Sequence, residues 1–211
     1  MARQWVKRQA LKSTVGLFIS TIFSVMLLLV TVPALAINYG SGTYGSCQFG
    51  SCSITIGSSG TVNVDVIPTG SGSCTIQKDA VTVTTSNTSG YTLSLADTST
   101  NTALLKGAST IAASSASQAS PAPLAINHWG YRVDGVGGFG AGPTSAQTNT
   151  GVGTTTFAGI PASNGTPSTL ASTSTAASSG STTNVWYGVC ANVSIVSGSY
   201  TSQVLYTAVT N

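Results

Sequence analysis

In repeated short runs between Ile54 and Val209 apolar residues recur at every second position, a spacing that gathers them on one face of a β-strand and scatters them around a helix. Val62, Val64 and Val66 alternate with Thr, Asn and Asp up to Pro68, and Val81 and Val83 alternate with Thr. After the turn-like Asn87-Thr88-Ser89-Gly90 come Tyr91, Leu93 and Leu95. Trp129, Tyr131 and Val133 follow, then Phe157, then Val185, Tyr187 and Val189. In the last run Tyr200, Val204, Tyr206 and Ala208 share one face, with Leu205 and Val209 on the other. The chain contains no Glu and is rich in Thr, Val, Ser and Gly, a composition unfavourable to helices and suited to strands and turns. About seven to nine half-buried antiparallel strands are expected, which points to an all-β fold. The leading architecture is an antiparallel β-sandwich, immunoglobulin-like or related, with a barrel or jelly roll as the other candidate.

The first 36 residues read differently. Arg3, Lys7, Arg8 and Lys12 precede an apolar run from Val15 to Val32, which closes with Pro33 and Ala34-Leu35-Ala36. Basic, apolar and small-x-small segments in that order predict a secretory signal peptide over 1–36, cleaved before Ile37. About 18 apolar residues can also just span a bilayer, so a retained anchor is the competing reading. The small-residue site and the turn-rich sequence after it favour cleavage. Residues 37–211 are then expected to form one all-β exported domain.

Removing the signal reverses the charge. Lys78, Lys106 and Arg132 are left to face Asp65, Asp79, Asp97 and Asp134, a net of −1. The basic character of the precursor therefore belongs to its export signal, and nucleic-acid binding loses its support. Cys47, Cys52, Cys74 and Cys190 are an even set in an exported chain and predict two disulfides, with three pairings open. The short spacing of Cys47 and Cys52 suits a staple across one Gly-rich turn, which leaves Cys74 to reach Cys190. No metal site is expected, since His128 is the sole histidine and no Cys-x-x-Cys pair exists.

Ala108 to Pro123, Gly135 to Gly153 and Pro161 to Thr183 are low-complexity stretches of Ala, Ser, Thr, Gly and Pro. They are expected to be long surface loops, because so little apolar surface does not offset the entropy of ordering. His128-Trp129-Gly130-Tyr131-Arg132-Val133-Asp134 is the densest mixed patch. Its aromatics suit stacking on a sugar, but their alternation places Trp129, Tyr131 and Val133 on the inner face, with Arg132 and Asp134 toward solvent. Trp186 and Tyr187 are adjacent and so point to opposite faces, which makes one of them a contact candidate. Trp129, Tyr131, Trp186 and Tyr187 are thus the possible contact aromatics. A Ser–His128–Asp134 triad lacks its Gly-x-Ser-x-Gly elbow, and four scattered Asp residues do not suggest a glycosidase pair. Asn87-Thr88-Ser89, Asn164-Gly165-Thr166 and Asn192-Val193-Ser194 match the N-glycosylation pattern.

The runs Ser89 to Leu95, Trp129 to Gly135 and Ser197 to Val209 together resemble small secreted bacterial surface proteins with an immunoglobulin-like β-sandwich. More narrowly, the ending, where Gly198-Ser199-Tyr200 opens a terminal strand, is similar to spore-coat-U and fimbrial-type domains. That resemblance implies a structural or adhesive subunit and brings no catalytic residues. The chain departs from the fimbrial pattern in lacking a free alternating strand directly after Ala36 for donation to a neighbour. The expected function is that of a non-catalytic secreted or cell-surface protein, an adhesin or an envelope structural subunit. A carbohydrate-binding module is the alternative, and a secreted hydrolase trails. Expected partners are a protein or glycan surface ligand, with no cofactor, no nucleic acid, and membrane contact only through an uncleaved signal segment.

Overall fold

A computed structural model describes residues 52–211 and, outside them, the backbone of 43–44 and 47–48. The expected signal segment and the side chain of Cys47 lie outside the described residues. Within them there is no helix, and the fold is all-β. Two short strands, β1 (Thr43–Tyr44) and β2 (Cys47–Gln48), pair antiparallel. β3 (Ile54–Gly57) and β4 (Ser73–Thr85) follow, then β5 (Tyr91–Asp97), β6 (Leu104–Lys106), β7 (Ser109–Ala113) and β8 (Ala122–Pro123). β9 (His128–Val133), β10 (Gln147–Thr150), β11 (Thr156–Phe157) and β12 (Ser168–Ser172) come next. The 15-residue β13 (Ala177–Ala191) and β14 (Val204–Thr210) end the chain.

Two sheets face each other. The larger runs β10-β4-β13-β9-β7-β6, with β3 sharing the free edge of β4 beyond β10. The smaller is β12-β5-β14. Every pairing is antiparallel except β7 with β9, which is parallel. Val81, Val83, Val185, Val189, Trp129 and Tyr131 point inward from the large sheet. Tyr91, Leu93, Leu95 and Leu170 meet them from the small one and are fully buried. Alternation thus produces two apolar faces, and burying them against each other is what makes the layers adhere.

The large sheet is covered on its outer face as well. Cys74, Ile76, Leu124, Phe157, Trp186 and Cys190 form a second buried cluster there. Gly130 and Gly188 are cross-strand partners, and they leave a flat spot on which the β8–β11 strand pair lies. A Cβ on Gly188 would come within 2.7 Å of the Phe157 ring, and one on Gly130 within 2.5 Å of the Ala158 carbonyl oxygen. The two missing side chains are what let Phe157 close the second layer.

Two expectations change. The low-complexity stretches contain β7, β8, β10, β12 and the first residues of β13, so they are not simply loops. Ladder hydrogen bonds and a single well-placed side chain suffice there: in β12 only Leu170 is buried. Thr173, just past β12, donates its N–H to the Tyr91 carbonyl, and its own carbonyl accepts from Asn211 Nδ2 at 2.7 Å. A cut there would break both contacts. Val62, Val64 and Val66 keep the alternating burial of a strand but form no ladder. β14 is an edge strand, since its ladder is with β5 alone.

On β14 the alternation itself holds. Val204, Tyr206 and Ala208 pack against the core, while Leu205 and Val209 are exposed. Val204→Ala is expected to cost about 1–2 kcal/mol through lost burial, and Leu205→Ser less than about 0.5 kcal/mol. Urea unfolding of both variants checks this, and equal losses would contradict a half-buried strand.

Candidate functional site

A cleft of about 840 Å³ opens in the smaller layer. The chain leaves the large sheet after Gly57, turns through Ser58–Gly60 and continues as the extended segment 61–68. Val62, Val64 and Val66 pack inward on the core. This segment lines one side of the cleft and residues 195–204 line the other, where the chain runs into edge strand β14. The floor comes from the large sheet, with Trp129, Tyr187, Val189 and Ile111.

Side chains of β4 hold segment 61–68 in place. Thr75 Oγ1 donates to the Asp65 carbonyl at 2.7 Å, and Ser73 Oγ donates to the Ile67 carbonyl. Thr61–Val64 make no backbone hydrogen bond of any kind among the described residues. Peptide groups of this kind are ordinarily paired in a sheet, so the smaller layer has an open row of donors and acceptors beside an apolar floor. Its rim is apolar too: Ile67 and Val196 are 67% and 57% exposed.

Asp79 is the buried polar centre of this region. Its carboxylate accepts from the backbone N–H of Ser59 at 2.8 Å and from the Ser59 hydroxyl. The Tyr206 hydroxyl also reaches it, and Tyr187 and Tyr206 share a hydrogen bond of 2.6 Å that joins the two sheets. Burial pushes both phenols above the ordinary tyrosine value of 10.0, and it does the same to Tyr131. A raised folded pKa means that the unfolded chain loses these protons first. Stability is thus expected to be unaffected by them below about pH 10 and to fall above it, by up to about 1.4 kcal/mol per pH unit for each phenol. Tyr206→Phe should make the alkaline fall shallower, as read from urea midpoints on either side of pH 10.

The four aromatics singled out from the sequence are all buried. Trp129 and Tyr187 stack with centroids 6.4 Å apart in the cleft floor, and Trp129 Nε1 donates to the Thr102 carbonyl at 2.9 Å. Tyr131 donates its hydroxyl to Gln118 Oε1 and sits edge-on to Phe139. Trp186 does point to the outer face, but there it lies between its cross-strand neighbours Lys78 and Arg132, with Lys78 Nζ 5.8 Å from the ring centroid. The surface role expected for one of this pair is therefore corrected, because a second layer covers the outer face as well.

Arg132 is a correction too: it is 2% exposed and does not face solvent. Its guanidinium donates to the carbonyls of Thr156 at 3.1 Å and Phe139 at 3.0 Å, and pairs with Asp134 at 3.3 Å. It therefore pins the chain after β9 and strand β11 onto the sheet. His128 and Asp134 flank β9 at opposite ends and do not meet, and His128 Nδ1 lies 2.9 Å from the Ile126 carbonyl. Among the described residues no three His, Cys or acidic side chains gather as a metal site. Asn87, the first glycosylation candidate, is 2% exposed and donates to the carbonyls of Gly90 and Asn211.

Cys74 and Cys190 are register partners on β4 and β13 and form a buried disulfide, with Cα atoms 4.1 Å apart. Cys52 is also disulfide-bonded. A buried disulfide of this kind is compatible with an extracytoplasmic protein. The chain matches no family model, no curated protein and no solved structure. The cleft, which lay hidden in the sequence, is the feature that geometry adds. Its one sequence signal was a strand-like Val62-Val64-Val66 run that the fold leaves without a ladder.

Proposed function

We propose that this chain is an exported, non-catalytic contact protein, an envelope structural subunit or adhesin, that engages its partner through the open cleft in its smaller layer. The observation that carries this reading is the unladdered segment 61–68, which lines an apolar-floored cleft together with residues 195–204. Such an edge is a template for strand addition, in which backbone bonds give affinity and side-chain pockets give specificity. Burial of all four candidate aromatics leaves the sugar-stacking alternative without a platform at those positions. The basic, apolar and small-x-small order of residues 1–36, read as an export signal, and the buried disulfide support an extracytoplasmic setting.

Ile67→Lys and Val196→Lys test the reading, because both side chains are exposed and stability should be kept. In the native host the mature chain, beginning at Ile37, should fractionate with the envelope, and each variant should be released to the medium with an unchanged urea midpoint. Variants that stay bound, or a chain retained in the cytoplasm, would overturn it.

A further inference from the structure

We infer that the occupant of the cleft is an extended peptide strand of another protein, with apolar residues at alternate positions and a Lys or Arg placed over Asp79. The inference rests on the contact reading above and adds the chemistry of the partner. Three observations lead to it.

Extent is the first. Segment 61–68 is eight residues of extended chain, so a strand laid along it spans about 26 Å, a length typical of one edge strand. A strand there would pair with the open backbone of Thr61–Val64 and set every second side chain toward the floor. Trp129, Tyr187 and Val189 line that floor, and apolar residues suit those inward positions.

Charge is the second. Asp65 and Asp79 line the cleft, and no Lys or Arg does. Asp79 is 2% exposed, and its neighbours are the Ser59 N–H and hydroxyl and the Tyr206 hydroxyl, all neutral donors. Among the described residues it has no ion-pair partner. A buried carboxylate without a cation is costly, and a basic side chain from the occupant would offset that cost. Lys or Arg can lay its aliphatic stem along the apolar floor while its charge reaches the carboxylate.

The third concerns the source of the strand. The chain offers no free alternating run directly after Ala36, and its strongest alternating runs are already paired in β4, β5, β9, β13 and β14. The alternating run left without a ladder, Val62-Val64-Val66, holds no Lys or Arg, and Lys78, Lys106 and Arg132 lie in the paired strands β4, β6 and β9, so among the described residues a second copy has no spare strand that bears a basic side chain. The partner is a different protein.

Isothermal titration of the exported, disulfide-intact chain tests this with capped synthetic peptides of eight residues, Val alternating with Thr. In three versions one central Val is kept, replaced by Lys, or replaced by Glu. A fourth carries Lys with alternate backbone amides N-methylated along one edge. The expected result is 1:1 binding in the order Lys, Val, Glu. Lys should exceed Glu by about tenfold at low salt and by less at high salt. N-methylation should abolish binding, and Asp79→Asn should erase the preference for Lys but keep the Val peptide bound. Should Asp79→Asn fail to fold, the salt dependence of the Lys-to-Glu ratio on the unaltered chain decides the same point.

Binding without a preference for Lys would overturn the basic partner and leave the contact reading standing. No binding by any peptide to a folded chain would overturn both. Undiminished binding of the N-methylated peptide, or its displacement by a fatty acid that itself binds 1:1, would show an apolar-ligand pocket and overturn the strand. Sedimentation as a dimer that Val196→Lys dissociates would identify a second copy as the occupant and overturn the choice of partner.

Discussion

Removing the Cys74–Cys190 disulfide is expected to lower stability by about 4–5 kcal/mol, a large part of what a domain of this size possesses. The bond closes a loop with a sequence separation of 116, and chain-entropy arguments give about 4.7 kcal/mol for a loop of about 100 residues. Its two halves are register partners on the central strands, so its loss also frees the ends of β4 and β13 to separate. Urea unfolding of the Cys74→Ala/Cys190→Ala double variant against the unaltered chain measures the effect. A loss below about 1 kcal/mol would show that the unfolded chain is not constrained as the loop length implies.

Arg132→Met is expected to cost about 3–5 kcal/mol. The substitution keeps the apolar stem and removes the donors that satisfy the carbonyls of Thr156 and Phe139. Arg132→Lys should recover only part of this, since one ammonium does not reproduce the planar fork. Asp134→Asn should cost less than about 1 kcal/mol, because that carboxylate is 37% exposed and solvent screens the pair. If Arg132→Met and Asp134→Asn proved equal, the ion pair rather than the carbonyl bracket would be what holds the segment.

These two residues mark how far the sequence could be read. Alternation was enough to pick out β4, β5, β9, β13 and the inward face of β14, because period two is imposed by the pleat wherever one face is buried. It did not reveal that the large sheet is buried on both faces. That depends on Gly130 and Gly188 lying side by side on strands far apart in sequence, which local spacing does not encode. Arg132, read as solvent-facing by alternation, is buried for the same reason. The Ser- and Thr-rich strands β7, β10 and β12 were invisible because the ladder that stabilises them belongs to their neighbours. The cleft inverted the error: Val62, Val64 and Val66 read as an ordinary strand, and only the fold shows that no neighbour completes it.

The pairing of β4 with β13 also sets a timetable. Val83 meets Ser181 and Cys74 meets Cys190, so the two central strands do not find each other until nearly the whole chain is available. Topologies dominated by such distant pairings fold slowly, on the order of milliseconds to seconds. A chain threaded from its N-terminus through a narrow translocation pore would therefore stay extended throughout the passage. The sheet would close and the cysteines would meet only on the far side.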